Sequence, residues 1–192
     1  MKSRKIIKLY WDLDGVCAKW STKASIEDTY MPGYFANRAY QWNVIWAMYG
    51  FAQAHPEIEV NILSHYYMNG CALADKQTWC NYMDNVCTVS YPNANIGRIF
   101  VPYGLSKYLF INQKENTVNI LIDDYTKNLL EWNNAGREAS NIEANAQFAG
   151  IKFLNGINHT RRTWVGAMIS HTDTTEEIIK KIEEYIDGLL CA

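Results

Sequence analysis

Two carboxylates stand two residues apart where an apolar run ends near the start of the sequence. The stretch KLYWDLDGVC covers residues 8–17, and it places Asp12 and Asp14 directly after residues 6–11, with Gly15 behind them. The run is short and rich in branched and aromatic side chains, which predicts a buried strand. An Asp-Gly pair alone could mark a simple turn, so the interpretation depends on which other residues join these carboxylates.

Four further polar residues follow other predicted strands. Ser64 follows the second strand, Lys107 comes shortly after the third, and Asp123 and Asp124 follow the fourth. In an open parallel sheet, ligands bind beyond the carboxyl ends of the strands, which meet at one edge. We therefore expect four carboxylates, one hydroxyl and one ammonium to converge there.

The expected cluster has the chemistry of a phosphoryl-transfer site. Carboxylates repel one another unless a cation or a proton compensates, and Mg²⁺ pairs with carboxylates and substrate phosphate. A hydroxyl and a lysine supply what the other phosphate oxygens need. If the other three aspartates are ionised and the substrate carries about two negative charges, Mg²⁺ and Lys107 leave negative charge in excess. That excess favours a proton on Asp14, as a general acid requires.

The motifs resemble those of the haloacid dehalogenase (HAD) superfamily of phosphatases. DLDGV, then Ser64 after a strand, then Lys107, then LIDDYTKNLLEW follow that family's order and span about three-fifths of the chain. The stretches YMPGYFANRAYQW, WNNAG and GIKFLNG resemble the branch of 5'(3')-deoxyribonucleotidases and their bacterial and phage relatives. Tyr10 and Trp11, just before the first motif, are bulkier than the small aliphatic residues usual in that family's strand.

The resemblance implies a role for each matching residue. Asp12 would be the nucleophile that takes the phosphoryl group as an aspartyl-phosphate. Asp14 would protonate the leaving alkoxide and later activate the hydrolytic water. Ser64 would hold a phosphate oxygen, and Lys107 would bridge the phosphate and Asp12.

The resemblance also implies a Mg²⁺ site made largely of carboxylates. Asp12 and the backbone carbonyl of Asp14 would reach the ion, together with Asp123 and Asp124. Which of the last two binds the ion directly stays open.

Short apolar runs that alternate with helical patterns predict an α/β fold. Strands are predicted at residues 6–11, 58–63, 98–101, 118–122 and 151–154, and helices over about 42–54, 71–83, 126–135 and 173–190. This alternation predicts a Rossmann-like parallel sheet flanked by helices. We expect a single HAD-like domain over residues 1–192, with a small cap inserted after the first strand at about residues 18–38.

Three local signals refine the helices and loops. Gly136 predicts the end of the third helix, and the polar segment 136–149 then reads as a surface loop. The fourth helix should begin with a capping box, formed either by Asp173 with Glu176 or by Thr174 with Glu177.

Aromatic side chains of the cap are candidates for substrate contact. Trp20, Tyr34 and Phe35 could stack on a nucleobase, although packing within the cap or core is the more frequent role of such residues. His65 either faces the substrate or caps the next helix.

Composition narrows the partners and the compartment. The formal net charge is −2 over 192 residues, so we expect no nucleic-acid polymer or anionic membrane as partner. The start of the chain does not resemble a signal peptide, and no run is long enough to span a membrane. The 5 cysteines show no CxxC spacing, which argues against a zinc site or disulfide framework and favours the cytoplasm. Arg161 and Arg162 either attract an anionic substrate or lie in a solvated loop.

We therefore expect a Mg²⁺-dependent phosphomonoesterase that acts on a small phosphorylated metabolite, with (deoxy)nucleoside monophosphates as first choice. Within enzymes, the alternative is a phosphatase for another substrate, such as a sugar phosphate or a phosphorylated nucleic-acid end. From a different class, the alternative is a catalytically silent binding protein that keeps the fold. The sequence carries no signal for the oligomeric state.

Overall fold

A computed structural model describes residues 5–68, 70–112, 116–138, 146–157 and 164–191. The strands are β1 (Ile6–Trp11), β2 (Glu59–Tyr66), β3 (Ile96–Pro102), β4 (Thr117–Asp123), β5 (Gln147–Leu154) and β6 (Met168–Ser170). The α-helices are α1 (Trp42–Ala54), α2 (Ala72–Cys87), α3 (Thr126–Glu138) and α4 (Thr175–Cys191). Two short 3₁₀ helices cover Glu27–Tyr30 and Lys107–Phe110.

The strands form one six-stranded sheet in the order β3-β2-β1-β4-β5-β6. Every pairing in it is parallel, and the predicted α/β class with a parallel, helix-flanked sheet is confirmed. The chain leaves β1 toward β2 on one side and later returns to β4 on the other. The order therefore reverses between β1 and β4, and in such sheets the crevice at the reversal point is where ligands bind.

Apolar side chains of β1 explain the two layers that cover the sheet. Leu9 and Trp11 pack with residues of α1, α2 and α4 on one face, whereas Tyr10 packs with Leu121 and Trp132 on the face that α3 covers. Alternate residues of a strand point to opposite faces, so a strand covered on both sides is largely apolar. The exception in β1 is Lys8, whose Nζ pairs with Glu59 Oε2 at 2.7 Å. The bulky Tyr10 and Trp11 thus fill core on both faces, directly beneath the end of the strand.

Several strands are longer than the sequence pattern predicts. β2 continues through Ser64 and His65 because their backbones pair with Phe100 and Val101 of β3, so Ser64 lies within the strand and not after it. β5 begins at Gln147, where the sequence predicted loop, because residues 147–149 pair with β4. β6 was not predicted, since three residues are too few to show a period.

Two helices also extend beyond their predicted ends. α2 continues to Cys87, which is buried and prolongs the apolar stripe of Trp79, Cys80 and Met83. α3 continues past Gly136 to Glu138, so the predicted end at Gly136 is wrong. A helical glycine costs only about 1 kcal/mol, which the packing of the preceding turn offsets.

The segment between β1 and α1, including residues 18–38, is held by hydrogen bonds and not by a sheet. Arg38 Nη1 donates to Tyr34 Oη at 3.2 Å, and its Nη2 donates to the Lys19 carbonyl. The Arg38 guanidinium lies 5.6 Å from the Trp20 ring centroid, and Trp79 Nε1 donates to the Arg38 carbonyl at 2.8 Å. Arg38 therefore links separate parts of this segment to one another and joins the segment to α2.

All five cysteines are free thiols. Among the helices of the described ranges, none has the length and apolarity needed to cross a bilayer. Arg161 and Arg162 lie outside the described residues.

A capping box starts α4, and of the two predicted pairs it is the second that forms. Thr174 N donates to Glu177 Oε2 at 2.8 Å, and Glu177 N donates to Thr174 Oγ1 at 3.2 Å. Asp173 instead accepts from Ser170 N and Lys181 Nζ.

We expect Thr174→Ala to lower the free energy of unfolding by about 1 kcal/mol, because one helix N–H loses its acceptor. Urea denaturation measures this loss. Glu177→Gln, which keeps an acceptor at the same place, is the control and should cost clearly less. An unchanged transition midpoint in Thr174→Ala would contradict the role of the box.

Candidate active site

Three carboxylates meet where β1 and β4 end side by side. Trp11 pairs with Ile122, and Asp12 N donates to the Ile122 carbonyl at 2.9 Å. This register brings Asp12 next to Asp123 and Asp124. Carboxylate oxygens of these three buried residues lie within 4.8 Å of one another. The convergence predicted from the strand ends is thus present for these three.

Lys107 lies against two of the three carboxylates. Its Nζ is 2.9 Å from Asp12 Oδ1 and 2.7 Å from Asp123 Oδ2. Burial alone would lower the pKa of this ammonium, but the two carboxylates outweigh burial and raise the Lys107 pKa above its usual value. Lys107 is therefore charged across the physiological range, and it holds the ends of β1 and β4 together.

Asp123 is oriented by the start of α3. Its Oδ1 accepts from Tyr125 N at 2.7 Å, and its Oδ2 accepts from Asn128 Nδ2 at 2.9 Å. Burial raises the pKa of the Asp123 carboxyl, and Lys107 opposes that rise. The carboxylate thus joins the metal-capable triad while also serving as a local helix-start acceptor.

Asp124 is positioned by two neighbours that the sequence analysis missed. Asn155 Nδ2 donates to Asp124 Oδ2 at 2.7 Å. The buried Lys152 Nζ donates to the Asp124 carbonyl and, at 2.9 Å, to Thr126 Oγ1, and burial lowers the pKa of its ammonium. A lysine in the middle of a buried strand was the available signal.

The Asp triad could hold a metal ion. Asp12 Oδ1 is buried without a hydrogen bond among the described residues, and its contact to Lys107 is an ion pair that lacks hydrogen-bond geometry. Three buried carboxylates lie together here, and Lys107 forms ion pairs with two of them. Buried charges need a partner, and an oxygen-rich site of this kind suits a hard divalent cation.

Asp14 lies outside the triad and is paired with a lysine that the sequence analysis did not identify. Lys76 Nζ donates to Asp14 Oδ2 and, at 3.0 Å, to Ser64 Oγ. It also donates to the His65 carbonyl at 2.5 Å. Lys76 occupies a position on the buried stripe of α2, and a lysine on an otherwise buried face was the signal that could have revealed it.

A cavity of about 310 Å³ opens above these groups. The predicted residues that line it are Asp12, Asp14, Trp20, Phe35, Ser64, His65 and Asp124. Lys107 and Asp123 are not in this lining and lie buried against Asp12. A larger cavity of about 560 Å³ lies by Ile6 and Leu190, and it contains none of the predicted residues.

Of the predicted aromatic contacts, Tyr34 lies away from the cavity, and Phe35 lines it with one side of its ring against Lys76. Tyr34 lines a separate surface depression beside Arg38. Phe35 lines the cavity, but Lys76 Nζ lies 4.8 Å from its ring centroid, so an ammonium already occupies that side of the ring. His65 lines the cavity, and its Nε2 is 2.8 Å from the Leu105 carbonyl, which ties β2 to the segment after β3.

Comparison of the chain with protein-family models, with curated proteins and with solved structures finds no match.

The Asp124 carboxylate lies where a side chain at position 15 would be, and Gly15 has none. Its φ is +80°, and a Cβ at this position would collide with the Asp124 carboxylate. Gly104 has a similar φ of +95°, but no atom lies within 4 Å of the corresponding position. The two glycines therefore share a backbone conformation and differ in whether a side chain would disturb the triad.

We expect Gly15→Ala to weaken divalent-cation binding at least about tenfold, because one triad carboxylate must move. Both Gly15→Ala and Gly104→Ala should lose roughly 1–2 kcal/mol of stability from the left-handed backbone. Calorimetric titration with Mg²⁺ and Mn²⁺, beside thermal unfolding, separates the two effects. Equal metal affinity in the two variants would argue against Asp124 as a ligand.

Proposed function

We propose that the protein is a Mg²⁺-dependent phosphomonoesterase that works through an aspartyl-phosphate on Asp12. The observation that carries this proposal is the buried triad of Asp12, Asp123 and Asp124 braced by Lys107 beneath a cavity. Charge neutralisation and positioning supply most of the catalysis in phosphoryl transfer, and this arrangement offers both.

In the proposed reaction, an Asp12 oxygen attacks phosphorus and the ester P–O bond breaks. Asp14 gives its proton to the departing alkoxide. It then takes a proton from the water that attacks the aspartyl-phosphate, so that inorganic phosphate leaves and both aspartates return to their starting states. Asp14 receives this role because its carboxylate lines the cavity and lies outside the triad.

The triad would hold the cation, and a bound Mg²⁺ supplies neutralisation of phosphate charge as the nucleophile approaches. Asp12 and Asp124 line the cavity and would face it directly, while Asp123, bound to Lys107, Asn128 and Tyr125, would orient the others. Lys107 would orient the Asp12 carboxylate through their ion pair.

The phosphate oxygens opposite the cation would be received by Ser64 and Lys76. Both line the cavity, and their polar atoms are 3.0 Å apart. A phosphate bound at Lys76 would compete with Asp14 for the N–H groups of the Lys76 ammonium. Substrate binding would thereby release the Asp14 side chain for proton transfer.

For the substrate we propose a small phosphorylated metabolite, with (deoxy)nucleoside monophosphates first, from the motif resemblance and the cavity's aromatic lining. The cytoplasm stays our prediction for the compartment, with which five free thiols agree.

The direct test is hydrolysis of phosphate monoesters by the purified protein. We expect EDTA to stop turnover and Mg²⁺ to restore it, whereas Ca²⁺ should not, since its longer bonds would misplace the nucleophile. Asp12→Asn should lose several orders of magnitude of kcat while its circular dichroism spectrum shows that the fold is retained. Asp187→Asn, on the exposed side of α4, is the matched control. A loss in Asp12→Asn below about tenfold, or full activity in chelator, would refute the mechanism.

Lys76 provides a second, independent prediction. Removal of a charged hydrogen bond costs about 1.5–3 kcal/mol, so Lys76→Met should lower kcat/KM by about 10- to 150-fold. Lys180→Met, which removes an exposed ammonium on α4, controls for the change in net charge. Lys76→Arg, which keeps a buried cation, should recover part of the loss, and no recovery together with normal folding would count against a phosphate contact.

A further inference from the structure

Tyr67 and Tyr103 form one wall of the cavity. Their ring centroids lie 4.9 Å apart, and they belong to the segments that follow β2 and β3. Tyr30, from the segment between β1 and α1, does not line the cavity but meets Tyr67 edge-on at 5.5 Å. The wall therefore joins two parts of the chain, and a third packs against it.

Hydrogen bonds between the segments after β2 and β3 hold the wall in place. Tyr103 N donates to the Tyr66 carbonyl at 2.8 Å, and the His65 ring bonds to the Leu105 carbonyl at 2.8 Å. Burial raises the pKa of the Tyr67 hydroxyl, so this ring stays neutral near pH 7. The wall is a fixed, uncharged aromatic surface.

Three large and exposed aromatic side chains also line this opening. Trp20, Tyr103 and Tyr125 are 43%, 63% and 55% exposed, and they come from the segments after β1, β3 and β4. Single exposed apolar residues need no explanation, but several around a concave site indicate a binding surface. Aromatic rings around a site offer flat faces on which a planar ligand can stack.

Three aromatic residues within residues 18–38 were candidates from the sequence, and none offers as free a ring as Tyr103. Trp20 lines the cavity, but the Arg38 guanidinium lies 5.6 Å from its ring centroid. Tyr34 is outside the cavity, and one side of the Phe35 ring is occupied by Lys76. Tyr103, by contrast, lines the cavity and keeps most of its surface free. The contact with a planar group is therefore best supplied from the sheet loops.

We propose that Tyr103, supported by Tyr67, determines specificity by stacking on a planar leaving group of the phosphomonoester. This inference rests on the proposed function and deepens it. The cavity volume of about 310 Å³ is at the small end of ligand sites, which run from about 300 to 1,000 Å³, so it suits one ring system attached to one phosphate. A nucleobase and a simple aryl group share this planar chemistry.

The experiment compares 1-naphthyl phosphate, thymidine 5'-monophosphate and glycerol phosphate as substrates of the wild type and three variants. Base–aromatic stacking is worth about 1–3 kcal/mol, which is about 5- to 150-fold. The ratio of kcat/KM for each planar ester to that for glycerol phosphate should fall by that factor in Tyr103→Ala. It should stay within about twofold in Tyr103→Phe, which keeps the ring, and in Tyr82→Ala, which removes an equally exposed ring that lies outside the cavity.

A binding measurement separates failure of this inference from failure of the proposed function. Fluorescence titration of 1-naphthyl phosphate into Asp12→Asn, with and without Tyr103→Ala, reports the stacking without turnover. Equal losses on planar and non-planar esters, or an unchanged ratio and unchanged binding in Tyr103→Ala, would overturn the proposal. If the wild type binds the planar ester through Tyr103 but hydrolyses no ester, the proposed phosphatase activity is refuted and the stacking role of Tyr103 is retained. A preference for the nucleotide over the naphthyl ester would identify a base as the planar group, and equal use would identify any flat ring.

Discussion

Lys107 brings one positive charge to a place where two parallel strands each end in a buried carboxylate. Its distances of 2.9 Å to Asp12 and 2.7 Å to Asp123 bridge β1 and β4 at the reversal point of the sheet. Without that ammonium, two adjacent buried carboxylates would repel each other. The ion pairs therefore hold Asp12 and Asp123 together beside Asp124, and the three form a compact set of buried oxygen ligands. The chemistry of the site follows from this set.

Two other buried lysines complete the arrangement, and each has a different task. Lys76 lies against Asp14 and Ser64 on the cavity side, where an incoming anion can compete for it. Lys152 lies behind the site and fixes the backbone of Asp124 through its carbonyl. Burial of an ammonium is costly unless partners surround it, so these positions tolerate lysine only because carboxylate, hydroxyl and carbonyl oxygens point at them. The carboxylate triad, the proposed phosphate contacts at Lys76 and Ser64, and the backbone of Asp124 are thus each held by a buried lysine.

The extent to which the sequence revealed this site depends on which residues stand at strand ends. Asp12, Asp123 and Asp124 follow apolar runs whose β character is plain, so topology alone brings them together. Ser64 was identified as a site residue, but the end of its strand was not. β2 runs through Ser64 because backbone pairing with β3 continues irrespective of side-chain polarity. Lys76, Lys152 and Asn155 escaped because each acts through a contact between elements distant in sequence, and a single lysine in a helix or strand has no period. The sequence could not show that Tyr34 lines a different depression, because an irregular segment gives no rule for which way a ring points.

The aromatic residues around the cavity opening also affect the electrostatics of the buried charges beneath it. Charged groups interact more strongly where water is excluded, and preorganised donors contribute most to catalysis in such a place. Trp20, Tyr103 and Tyr125 surround the opening without adding charge, so the proposed contacts of a phosphate with Lys76, Ser64 and a triad-bound cation would form in a weakly screened environment. A planar leaving group stacked on Tyr103 would displace further water from the same opening. Under the proposed function, recognition of the leaving group and stabilisation of the transferring phosphoryl group therefore act through one physical effect, the exclusion of water above a compact set of buried charges.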